Sequence, residues 1–133
     1  MNDDLEFVHA RIPGYSEYID EAGRYSSDMR VRAFVGERLA NVRARLGPLE
    51  PALDETLETV LLRCAFADQE FVKKFEHAVL DGPALAGLVR ADRRVIELGA
   101  ALETCTLAQL PALLPEIDRL LDYRRSPEPV NVT

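Results

Sequence analysis

Tryptophan is absent from this 133-residue chain, and histidine, cysteine, methionine and lysine occur only twice each. Two histidines, His9 and His77, and two cysteines, Cys64 and Cys105, show neither CxxC nor Glu-x-x-His spacing, so no zinc or di-metal carboxylate site is expected. The cysteines read as small buried hydrophobes in a reducing cytosol. Apolar runs extend for only a few residues, far short of the ~20 needed to cross a bilayer. Met1-Asn2-Asp3-Asp4-Leu5-Glu6 is acidic where an export signal requires positive charge, so the expected setting is cytoplasmic, with no membrane association. Dinucleotide, Walker A, HExxH, GxSxG and EF-hand patterns are all missing, and no cofactor is implied.

What is present is an ordinary globular composition, 47% apolar and 29% charged, with a net charge of −7. An acidic total disfavours nucleic acid as a partner, because such binding rests on surplus Lys and Arg. Fourteen of the 16 cations are arginine, a side chain suited to planar, bidentate contacts.

The periodicity is that of helices. Ser26-Ser27-Asp28 reads as a helix start, with a weaker helix before it from Ser16 to about Tyr25. Val31, Val35, Leu39, Val42 and Leu46 then form one stripe that ends at Gly47-Pro48. Arg30, Arg38 and Arg45 border that stripe on one side, and Arg32 and Arg43 on the other, placing their stems over helix seams. From Pro51 a second stripe, through Leu53, Leu57, Val60, Cys64, Phe71, Phe75 and Val79, predicts a long helix to Asp81, continuous or divided at Asp68. Leu62, Phe66 and Leu80 are apolar on its opposite face. Pro83 opens a helix carrying Leu85, Leu88, Val95, Ile96, Gly99 and Leu102. Thr106 to Gln109 matches a capping box, followed by a short turn and a last helix from about Pro111 or Pro115 to Arg124. Period-2 alternation is absent. The expectation is an all-α bundle of four to five helices (15–125), with an extended N-terminal arm (1–14) and a flexible tail (126–133).

Ile12-Pro13-Gly14-Tyr15, Tyr18, Ser27-Asp28, Arg30 and the Leu39–Leu46 stretch resemble the opening of a group of uncharacterised bacterial proteins with an IPGYxGY-type motif. The chain departs from that pattern at Glu17, where glycine stands, and at Tyr25, where basic residues are usual. The resemblance covers about the first third of the chain. It implies a reusable module of arm and first helix, and it carries over no catalytic or binding residue.

Asp68 and Asp92 interrupt apolar stripes and are the candidate functional carboxylates. They read either as a pair in a polar cleft with Arg30 or Arg38, or as side chains that reach solvent at a helix edge or make a structural salt bridge in the seam. Arg30, Arg38 and Arg45 are the candidate salt-bridge or anion contacts. Tyr15, Tyr18, Leu62, Phe66 and Leu80 are the candidate interface. The first reading is a non-catalytic, self-associating interaction, adaptor or assembly subunit, a homodimer or homo-oligomer. The alternative is a small enzyme or ligand-binding bundle with an Asp/Arg cleft. A third reading is an accessory factor that touches nucleic acid through the arginine-rich first helix.

Overall fold

The computed structural model describes residues 3–15, 21–65 and 82–123, with side chains from Ser26 onward in the second of these segments. These residues form five helices and no strand, an all-α bundle. They are α1 (Asp3–Arg11), α2 (Glu21–Leu46), α3 (Pro51–Ala65), α4 (Gly82–Leu102) and α5 (Leu110–Tyr123). Helix α2 packs on α3 and α4, and α5 closes the ring by packing on the same two helices. Helix α1 lies on the outside of α4.

The stripes expected from the sequence make the core. Val31, Val35, Leu39 and Val42 of α2 face Leu57 and Val60 of α3, together with Leu88, Val95, Ile96 and Leu102 of α4, and all are essentially inaccessible to solvent. Leu110, Leu114, Ile117 and Leu120 close the core from α5. Gly99 permits a close approach here: a Cβ at this position would lie 3.0 Å from the Phe34 ring, which seats α2 on α4. Pro51 and Pro83 stand in the first turns of α3 and α4, where a missing N–H costs nothing. Before α5, the Thr106 amide donates to Gln109 Oε1 at 2.9 Å, the reciprocal half of a capping box. Pro115 then lies inside α5.

Two expectations are corrected. The N-terminal segment is not an extended arm: Asp3–Arg11 is helical. Its acidic first turn and basic last turn complement the helix dipole, and Leu5, Val8 and Ile12, spaced i, i+3 and i+7, turn one side onto the core. Ser26-Ser27-Asp28 does not start a helix, since α2 already begins at Glu21. Inside α2 the side chains of Ser26 and Asp28 bond to other residues of the helix. Ser26 Oγ accepts from Arg30 Nε at 3.2 Å, and Asp28 pairs with Arg32 one turn on.

Ile12-Pro13-Gly14-Tyr15 is the turn expected of a Pro-Gly pair. The Tyr15 amide donates to the Ile12 carbonyl at 3.2 Å, and Gly14 has φ of +85°, which type II geometry requires at that position. Arg30 reaches from α2 to donate from Nη1 to the Pro13 carbonyl at 3.0 Å, laying its guanidinium against Gly14. A Cβ on Gly14 would come within 2.7 Å of Arg30 Cζ. Gly14→Ala should therefore cost about 1–3 kcal/mol in chemical unfolding, from left-handed backbone strain and displacement of Arg30. Adding Arg30→Ala should leave only the backbone part. A Gly14→Ala protein as stable as the parent would refute this account of the turn.

Candidate functional site

The arginines on the two borders of α2 face different helices. On one border Arg38 Nε donates to Glu103 at 2.9 Å while its guanidinium lies 3.4 Å over the Phe34 ring. Arg45 donates to the carbonyls of Leu102 and Cys105 at 2.9 and 2.8 Å, meeting the acceptors left open at the C-terminal end of α4. Arg30 is occupied by Pro13 and Ser26. On the other border Arg43 pairs with Asp54 at 3.3 Å and Glu58 at 2.8 Å, both on α3. Arg32 is buried: its Nε lies 3.0 and 2.9 Å from the two carboxylate oxygens of Asp28, and its Nη1 donates to the Arg63 carbonyl of α3. The pairing of residues 43 with 54 and 58, and of 32 with 63, shows that α2 and α3 run antiparallel.

Asp92 is completely buried in the middle of α4, and the Tyr15 hydroxyl donates to its Oδ2 at 2.8 Å. Tyr15 is itself 3% exposed, with His9 edge-on at 5.6 Å between ring centroids. The carboxylate that breaks the α4 stripe thus holds the turn after α1 against α4. Its partner in the sequence reading, Asp68, lies outside the described residues, as do Tyr18, Phe66, Leu80, the course of the chain from 66 to 81 and the segment after 123. Cys64 and Cys105 are buried and form no disulfide, and Leu62 is 49% exposed. Among the described residues no group of three or more His, Cys, Asp or Glu could hold a metal, and no helix is long and apolar enough to cross a membrane.

Among the described residues, two openings stand out. The first is an apolar groove of about 320 Å³ between α2 and α3, lined by Met29, Ala33, Gly36, Leu61 and Cys64, with Arg32 and Glu37 as its polar members. The second is a polar cleft of about 330 Å³ where α1, α4 and α5 meet. Arg90, Arg93, Arg94 and Glu97 come from α4, Glu116 and Arg119 from α5, and Asp4 from α1. Arg94 donates from Nε and Nη2 to Glu116 Oε1 at 3.2 and 3.0 Å. Arg93 donates to Asp4 at 3.2 Å and lies 4.7 Å from the centre of the Phe7 ring.

The sequence reading did not single out this cleft, because it followed the apolar side of α4. The signal was one step round the helix: positions 90, 93, 94 and 97 repeat at i, i+3, i+4 and i+7 and place three arginines and a glutamate on one face. No protein family, curated protein or solved structure matches the chain.

Proposed function

We propose that this protein is a non-catalytic helical interaction subunit that self-associates in the cytoplasm. The observation that supports this most directly is the groove between α2 and α3, an apolar recess with Met29 and Leu62 exposed to solvent at 38% and 49% on the two helices that form it. A two-fold contact presents the same surface twice, so a patch that has both a recess and a protruding leucine complements itself. Leu62 gains burial only if another surface covers it, at roughly 25 cal/mol for each Å² of apolar area removed from water. The internal roles of the α2 arginines favour the same reading. Arg30, Arg38, Arg43 and Arg45 are committed to carbonyls, a serine hydroxyl or carboxylates of their own chain, which leaves that helix poorly placed to grip phosphates. Two buried cysteines outside any disulfide suit a reducing compartment.

Sedimentation equilibrium tests the proposal. The parent protein is expected to dimerise, and Leu62→Glu combined with Met29→Glu should weaken that dimer by at least about tenfold, since each charge must be desolvated at the contact. A parent that stays monomeric at high concentration, or a dimer indifferent to both substitutions, overturns the reading.

A further inference from the structure

We infer that the cleft between α1, α4 and α5 is a binding site for a compact, multiply charged anion, a phosphoryl or diphosphoryl group on a small molecule. The inference is independent of self-association, which draws on the groove between α2 and α3.

Four guanidiniums line this opening against three carboxylates, in a chain whose total charge is −7. The carboxylates also leave the cations incompletely matched. Arg90 and Arg93 share Asp4, at 4.0 and 3.2 Å. Arg94 takes Glu116. Arg119 forms no ion pair among the described residues. Arg90, Arg93 and Arg94 follow one face of α4, and Arg119 approaches from α5, so the donors converge on a recess from two helices. About 330 Å³ is the low end of the range for small-molecule sites, enough for a diphosphoryl group.

The charge on the ligand follows from the competition inside the cleft. A monovalent carboxylate entering here either exchanges one carboxylate for another at Arg94 or Arg93 or pairs with Arg119 alone, and gains little. A phosphoryl group brings up to two charges and three acceptor oxygens, so it can engage Arg119 and Arg90 while sharing Arg94 with Glu116. Arginine suits this because its planar fork meets phosphate oxygens in pairs.

The test is calorimetric titration of the full chain with inorganic pyrophosphate at low ionic strength, with acetate as the monovalent comparison. Saturable binding of pyrophosphate, with none detectable for acetate, is expected. Arg94→Gln with Arg119→Gln should weaken binding at least about tenfold, in line with the loss of charge-assisted hydrogen bonds. Arg43→Gln, which removes an arginine facing α3, should leave binding unchanged. Glu116→Gln should strengthen it by freeing Arg94, a change that general loss of structure cannot mimic. Absence of saturable pyrophosphate binding, equal weakening by Arg43→Gln, or an unaltered affinity in Glu116→Gln would each overturn the assignment.

Discussion

Replacing Arg32 by methionine should cost about 3–5 kcal/mol of unfolding free energy, the range for removing one member of a buried ion pair. Both side chains of the Asp28–Arg32 pair are almost fully withdrawn from solvent, at 3% and 4% exposure. Arg32 also donates to the Arg63 carbonyl, so its loss takes hydrogen bonds from a carboxylate within α2 and from the backbone of α3 at once. The methionine stem replaces much of the arginine's packing volume, which makes the loss chiefly electrostatic and not a cavity effect. Adding Asp28→Leu should restore part of the stability, because the buried carboxylate that has lost Arg32 then disappears and an apolar pair can occupy the seam. Urea unfolding of the parent, both single variants and the double variant measures this directly. If Arg32→Met lies within about 1 kcal/mol of the parent, Arg32 is not holding α2 to α3 in the way its burial implies.

How much of this was legible depended on whether the signal was local. Val31, Val35, Leu39 and Val42 announce α2 by spacing alone, and Pro51 and Pro83 mark the first turns of α3 and α4. The two arginine borders of α2 were also readable, because helical geometry sends residues 38 and 45 to one side and residues 32 and 43 to the other. Helix α1 was missed since its apolar positions, Leu5, Val8 and Ile12, are few and lie among acids, and their burial depends on α4, which comes some eighty residues later. The serines at 26 and 27 carry a capping signal that the continuing helix overrides: Ser26 instead accepts from Arg30. Asp92 stood out as a carboxylate on an apolar stripe, but its hydroxyl partner is 77 residues away in sequence. The arginine cleft depends on a still longer separation, 89 residues between Asp4 and Arg93. Long-range pairings of this kind have no trace in the periodicity of a single chain.

Those long-range pairs converge on α1, and so the second large effect is expected at Tyr15. Tyr15→Phe removes one oxygen and no packing volume, yet it should cost about 1.5–3 kcal/mol, because that oxygen donates to a carboxylate with no exposure to solvent. The edge-on contact with His9 survives in phenylalanine, so the cost reports on the hydroxyl. In an Asp92→Asn background the acceptor is neutral, and the same substitution should cost only about 0.5–1.5 kcal/mol; the difference is the charge-assisted share of the bond. The location of the damage is as informative as its size. A helix on the outside of a bundle stays ordered only where it is tied down; α1 and the turn after it are held by Leu5, Val8 and Ile12 against the core, by Arg90 and Arg93 on Asp4, by Arg30 on the Pro13 carbonyl, and by Tyr15 on Asp92. Hydrogen exchange in Tyr15→Phe should therefore quicken first in α1 and in the turn at Pro13-Gly14, while α2, α3 and α5 stay protected. Uniform acceleration through all five helices would mean that α1 is an integral part of one cooperative unit. Faster exchange confined to α1 would show that it is a separately releasable element, and because Asp4 belongs to it, its release would free Arg90 and Arg93 in the cleft.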